Sequence, residues 1–341
     1  LKSAWITGKL QIEVREEDDP SPAADEVVIR IRACGICGTD LHFYRDFPGS
    51  APIPLGHEVA GTVHETGAAV DDLQIGQTVA VQNHVPCGIC TPCLMGKPER
   101  CRNIQTYMDD RAALAEYLRV PRKMVVPYTG ISFEEAVLAE PLTVAFDLLN
   151  RAQIEPFQSV CVSGPGIIGL FCTKLATEAG ARKIVVLGRS FQTKRGGIRM
   201  EAAQRLGAAV VVDTDEDAWV DTVKEAVPDG FEKIIVTSPP RSIPATFELA
   251  CFGADIIYNG ISFREQEITF NANTFHFKKL ALIASHAIPN WGFPLAFELL
   301  SRKLFNSARL VTHSFAFEDI EKAFTIAASR DEAAIKVVIT L

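Results

Sequence analysis

The feature that most restricts the fold of this 341-residue chain is a change of rhythm near residue 150. Beyond it, short apolar runs alternate with helical stretches. Strands are expected at Val160–Ser163, Lys183–Leu187, Val210–Val212, Lys233–Val236, Ile256–Tyr258 and Leu280–Ser285, with helices at Leu170–Ala179, Met200–Leu206, Ala218–Ala226 and Phe247–Phe252. Such alternation predicts βαβ units and a parallel sheet. The first of these strands runs straight into Gly164-Pro-Gly166-Ile167-Ile168-Gly169 and then into a helical run. A G-x-G-x-x-G string means little alone, but strand–turn–helix is the setting a dinucleotide loop requires. Gly164 permits the tight turn, Gly166 lets a pyrophosphate approach the backbone, and Gly169 lets the helix pack on the strand. The helix start at Ile167 and Ile168 would then face the anion.

The second strand of this half ends Leu187-Gly188-Arg189-Ser190. An NAD site places an acid there, to accept from the ribose hydroxyl. Gly188 stands in its place. Arg189, Ser190 and Lys194, with Arg195 beside it, offer the positive charge and hydrogen bonds that a 2′-phosphate needs. These residues favour NADP over NAD; the alternative is that Arg189 stacks on the adenine and NAD is used.

The first 150 residues read differently: strands at Val27–Ala33, Val59–Val63 and Thr78–Val81, separated by glycine turns and long loops rich in Pro and Cys. Nine cysteines, an odd number, argue against a disulfide framework. Four form the array Cys87-x₂-Cys90-x₂-Cys93-x₇-Cys101. An iron–sulfur run of the ferredoxin type places its fourth Cys sooner. Zinc takes four thiolates at such spacing, and a filled tetrahedral shell makes the site structural.

A second metal site is expected from Cys34-Gly-Ile-Cys37-Gly-Thr39-Asp40-Leu-His42 together with Gly56-His57-Glu58. Cys34 and Cys37 could themselves be a Cys pair. One thiolate, one imidazole and a carboxylate instead leave a position open for substrate, as catalytic zinc requires. Glu140, in Ala139-Glu140-Pro141, reads on its own as a salt-bridged carboxylate at a helix start.

These motifs, with the Gly164–Gly169 loop and the closing strand, resemble the zinc-containing medium-chain dehydrogenase/reductase superfamily over nearly the whole chain. The resemblance implies a GroES-like β-rich catalytic domain, 1–148 plus 289–341, split by a Rossmann doubly wound domain at 149–288. It implies two zinc ions per chain. Cys37 and His57 hold the catalytic one, with Glu58 a third or alternating ligand and Glu140 a ligand directly or through water. Thr39 passes the proton of the alcohol, His42 carries it toward solvent, Asp40 supports the ligands, and Cys34 is a bystander. Glu140, Phe43-Tyr44 and Leu310–Phe315 are similar to the sorbitol and sugar dehydrogenases, so a polyol or sugar-like secondary alcohol is the expected substrate. His42, Tyr44, Asn83 and His84 could meet its hydroxyls. Threonine-type amino-alcohol dehydrogenases share much of this pattern and are the alternative. The chain also departs from familiar members at Met108–Ala113.

Two other classes make different demands: an inactive zinc-stabilised nucleotide-binding protein would lose Cys37, His57 or Thr39, and a zinc-free reductase of the same fold would lack both cysteine sets. A net charge of −8 gives no reason to expect a nucleic-acid surface. No apolar run is long enough for a membrane span. A cytoplasmic location and a homodimer or homotetramer, pairing through Leu280–Ser285, complete the expectation.

Overall fold

The strand Glu26–Gly35 organises the first half of the molecule because it is buried along most of its length: Val27, Val28, Ile29, Ile31, Ala33 and Cys34 are all buried, and Arg30 alone is exposed. In the computed structural model, which describes residues 1–49 and 51–341, this strand pairs with three others, Glu58–Thr66, Tyr117–Pro121 and the C-terminal Lys336–Thr340. Thr78–Val81 and Val125–Pro127 extend the sheet on one side, and Val311–Ala316 on the other. The register sets Gly35 opposite Glu58 on one neighbour and opposite Val338 on the next. Three segments far apart in sequence therefore meet at one end of one strand.

These elements belong to a unit made of Leu1–Thr143, Ala287–Ser329 and Lys336–Leu341. It also contains an N-terminal hairpin, Lys2–Gly8 and Gln11–Glu16, with Ile53–Pro54 alongside. This hairpin is not among the strands expected from the sequence, although Gln11-Ile12-Glu13-Val14-Arg15 alternates polar and apolar residues. Leu10 occupies the left-handed φ of +58° in its turn, where Gly or Asn would have been the readable signal.

The second unit, Val144–His286 with Arg330–Ile335, holds six parallel strands: β1 (Ser159–Ser163), β2 (Lys183–Gly188), β3 (Val210–Asp213), β4 (Phe231–Val236), β5 (Ala250–Tyr258) and β6 (Ala281–Ala284). Their order is β3-β2-β1-β4-β5-β6, the doubly wound Rossmann arrangement. The order reverses between β1 and β4, and ligands of such sheets bind outside the carboxyl ends of the strands at this reversal.

Two expectations need correction. Phe247–Phe252 is not helical. The helix there is Ile243–Thr246, and β5 has begun by Ala250, which pairs with Phe231 of β4. Gly253, at φ +79°, stands where a helix could not continue, while Phe247, Phe270 and Phe275 pack ring to ring at 5.2–5.3 Å. The Met200–Leu206 helix starts earlier, at Lys194, because the Thr193 hydroxyl caps it by accepting from the Gly196 N–H at 3.0 Å. That cap offsets part of the cost of Gly196 and Gly197 at the helix start.

Phe231 is fully buried at the start of β4, amid Ile234, Phe247, Leu249 and Ala250 of the same apolar cluster. Phe231→Ala is expected to lower unfolding free energy by roughly 3–5 kcal/mol, read as a lower denaturant midpoint.

Candidate functional site

The Cys87 loop brings its four sulfurs together. Cys90 and Cys93 Sγ lie 3.4 Å apart, Cys90 and Cys101 3.9 Å, and Cys101 and Cys87 3.6 Å. Four Zn–S bonds of about 2.3 Å in a tetrahedron separate sulfurs by about 3.8 Å, so this cage has the right size for zinc. Backbone N–H groups of Cys87 and Cys90 point at the sulfurs of Cys101 and Cys87, at 3.3 and 3.4 Å. The N–H groups of Arg102 and Cys93 bring the Cys90 thiol down to about 6. Burial and the neighbouring Cys90 sulfur drive Cys93 up to about 12. Four thiolates this close need a cation to share their charge.

The second constellation is built around the end of Glu26–Gly35. Cys37 is the N-cap of the helix Gly38–Arg45, and His57 and Glu58 come from the loop and strand opposite. Their ligand atoms all lie within 4.8 Å of one another. Cys34, fully buried on the strand, is not among them. A side-chain carbon at Gly35 would come within 2.0 Å of Glu58 Oε2, so only glycine leaves that carboxylate its place. Asp40 accepts from the Cys37 N–H at 2.9 Å and holds His57 Nδ1 at 3.6 Å, which orients the imidazole.

One residue that sequence reasoning missed is central here. Lys336 Nζ donates to both oxygens of Glu58 at 2.6 Å and to the Ile36 carbonyl at 3.2 Å, with both side chains buried. Glu58 thus stands between the metal position and a fixed ammonium. Glu140 lies outside the close Cys37–His57–Glu58 group. It is buried and accepts from Asn83 Nδ2 at 3.2 Å. Burial pushes its carboxyl up to about 7; His57, Lys336 and Asn83 oppose the rise, and the Glu58 charge adds to it. Two more buried polar atoms lie nearby without a hydrogen-bond partner, Asn83 Oδ1 and the Tyr107 hydroxyl. The pairing of His84 with Thr106, carried one residue further, sets Asn83 opposite Tyr107. Thr39 and His42 share the helix of Cys37, both half-buried, and His42 Nδ1 lies 3.6 Å from Asp46.

The donor set is one thiol, one imidazole and up to three buried carboxyls against one lysine. That excess of negative charge, with the closed sulfur cage, fits zinc at both positions.

The glycine loop also fits its group. Gly164 has φ +105°, and a side chain there would strike Thr237 Oγ1 and the Ser238 backbone at 2.8 Å. One at Gly169 would meet the Gly164 carbonyl at 1.9 Å, whereas Gly166 has open space. Gly166 caps the helix Ile167–Glu178, so the N–H groups of Ile167 and Ile168 lie in its first turn. At the end of β2 a side chain on Gly188 would clash with Phe191 and Pro165, at 2.6 and 2.8 Å. Arg189 and Ser190 do not face open solvent alone. Arg189 Nε bonds Asp215 at 2.7 Å, and Ser190 donates to Asp215 through its hydroxyl and its N–H, at 2.9 and 3.0 Å. Lys194 is exposed at the start of the next helix. Arg199, on that helix, is brought down to about 10 by burial and by the Arg195 charge.

Residues 23–130 match the family model "Alcohol dehydrogenase GroES-like domain", and residues 168–302 match "Zinc-binding dehydrogenase". This chain belongs to the zinc-containing medium-chain dehydrogenase/reductase superfamily. It is 27% identical to sorbitol dehydrogenase of Bacillus subtilis (strain 168), covering 99% of this chain and 97% of that protein. Among solved structures it resembles an alcohol dehydrogenase (rspB) of Escherichia coli CFT073 complexed with NADH, at TM-score 0.88 and 27% identity, covering 100% of this chain and 99% of the other. A putative zinc-binding dehydrogenase of Sinorhizobium meliloti 1021 bound to NADP gives TM-score 0.87 and 25% identity, with 100% and 99% covered. The chain is thus an oxidoreductase of the alcohol dehydrogenase type.

The metal-free protein should lose stability as pH rises. Glu140, His57 and Lys336 all have folded-state pKa values above their ordinary ones. Their stabilising contribution is complete below the unfolded values and disappears as pH climbs through the folded ones. For Glu140 that window runs from the ordinary 4.5 to about 7, a change on the order of a few kcal/mol. Thermal melts of chelated protein between pH 5 and 8 test this, and Glu140→Gln is expected to flatten the curve.

Proposed function

We propose that the enzyme oxidises a secondary alcohol of a polyol or sugar-like substrate, and reduces the matching ketone, with NADP preferred over NAD. The observation that carries this reading is the open Cys37–His57–Glu58 group. It offers three donors and leaves a fourth position for an oxygen ligand. Glu140 as a further carboxylate and the 27% identity to a sorbitol dehydrogenase support a polyol over a simple alcohol. Zinc held there would supply Lewis acidity that lowers the pKa of an alcohol. A nicotinamide at the Gly164 loop would take up hydride.

The chain's own groups do the rest. Cys37 and His57 would hold the metal, and Asp40 fixes the imidazole. Thr39, one helix residue past Gly38, would accept the proton of the alcohol and His42, with Asp46 beside its Nδ1, would carry it outward. Lys336 limits how far Glu58 can engage the metal, and Glu140, held by Asn83, is the carboxylate free to approach it through water or directly. Cys87, Cys90, Cys93 and Cys101 would hold a second zinc with no open position, so its role is structural. This cage needs reduced thiolates, which fits a cytoplasmic setting. The preference for NADP rests on Gly188, Arg189, Ser190 and the nearby Lys194.

A homodimer or homotetramer is part of the proposal. Ala281–Ala284 ends the six-stranded sheet and pairs with β5 alone among the described residues. Among the described residues no helix is long and apolar enough to cross a membrane.

Metal analysis should find two zincs per chain. Cys37→Ser is expected to lose one of them and more than 99% of alcohol oxidation while the fold persists. Cys93→Ser is expected to lose the other and to lower Tm first. Assays with polyols, sugars and amino alcohols, each with both cofactors, test the substrate and a lower KM for NADP. Turnover confined to amino alcohols would replace the polyol reading with the threonine type.

A further inference from the structure

We propose that Asp215 is the residue that limits NADP binding in this chain, because its carboxylate competes with the cofactor's 2′-phosphate for Arg189 and Ser190. The proposal rests on the nicotinamide reading above and deepens it.

The end of β2 is where a doubly wound sheet meets the adenosine ribose. In this chain no carboxylate can stand at the end of β2 itself, because Pro165 and Phe191 fill the space beside Gly188. Two carboxylates instead arrive from β3 and the residues just after it. Asp213, directly opposite Gly188 in the parallel register, is buried. It accepts from the N–H groups of Ser190, Phe191 and Asp215, at 3.1, 2.7 and 3.0 Å. Three backbone donors occupy it, so it is a fixed part of the loop.

Asp215 is different in kind. It is partly exposed, and its partners are the Arg189 guanidinium and the Ser190 hydroxyl and N–H. Arg189 is itself largely exposed. A planar guanidinium and a hydroxyl are the donors a 2′-phosphate monoester uses, and Asp215 already takes both. A phosphate entering this corner must displace the carboxylate or accept it as a like-charged neighbour. A ribose 2′-hydroxyl meets neither obstacle, because it carries no charge and can donate to the Asp215 oxygen. The corner therefore contains the donors of an NADP site and a carboxylate that restrains them, and Asp215 sets the ratio between the two cofactors.

The test uses the zinc-loaded protein and calorimetric titration with two probes, 5′-AMP and 2′,5′-ADP, which differ only by the 2′-phosphate. In Asp215→Asn the affinity for 2′,5′-ADP is expected to rise about tenfold, the scale set by one charge acting on a phosphate across a solvent-exposed contact distance. Affinity for 5′-AMP should change less than threefold. Asp215→Ser provides a second variant if the amide folds poorly. In an Arg189→Gln background the Asp215 effect should largely vanish, since the contested donor is gone. The KM ratio of NADP to NAD should move in parallel with the titrations. An unchanged preference between the two probes, or an equal shift in both, overturns the role of Asp215 while leaving the dehydrogenase reading intact. A wild-type protein that retains its zinc but binds neither probe overturns both.

Discussion

The arrangement of the candidate metal ligands depends on one buried ion pair, Glu58 with Lys336. Lys336 Nζ sits 2.6 Å from each carboxylate oxygen, and the two side chains are 1–2% exposed. Removing one member of such a pair strands a charge in the interior, typically at 3–5 kcal/mol, whereas the intact pair adds little net stability. Its importance is therefore in specifying position. The pair ties the start of Glu58–Thr66 to the start of the last strand, on either side of Glu26–Gly35. Cys37 follows that central strand by two residues, and His57 precedes Glu58. Once the C-terminal strand has docked, the ligand atoms have little freedom left. The pair also determines the charge balance. With Glu58 paired to Lys336, Glu140 is the further buried carboxylate left to face a cation, Asp40 being already engaged with His57.

Much of this was legible locally and some was not. The Cys87 array declares itself because zinc geometry requires close cysteine spacing in a short loop, which is a sequence property. The glycines of the dinucleotide loop are legible because their spacing is local: Gly164 and Gly169 answer steric demands from the loop itself and from Thr237 just past β4, while Gly166 leaves open space beside the helix start. Lys336 is illegible. In Ile335-Lys336-Val337-Val338-Ile339 it reads as a polar residue on an ordinary strand, and its partner lies 278 residues away in sequence. Tyr107 likewise reads as one more loop aromatic until the pairing of His84 with Thr106 sets it beside Asn83. The misread segment Phe247–Phe252 fails in the opposite direction. Its apolar content suits helix or strand equally, and only pairing with β4 decides between them.

The adenosine corner repeats the pattern of the metal site. In both places a short motif would supply the direct contacts of the proposed site: Cys37 and His57 toward a cation, Arg189 and Ser190 toward a phosphate. In both, a charged residue from a strand remote in sequence or adjacent in the sheet holds a motif residue in check, Lys336 on Glu58 and Asp215 on Arg189 and Ser190. The difference lies in burial. Lys336 is enclosed and cannot relax into water, so it acts as a fixed element of geometry. Asp215 can exchange its partners for solvent at modest cost, as exposed ion pairs do. A motif thus names the ion that a site can bind, while the residue opposing the motif determines how strongly it does so. In this chain the buried opponent shapes the catalytic centre, and the exposed one leaves cofactor choice open to adjustment by a single carboxylate.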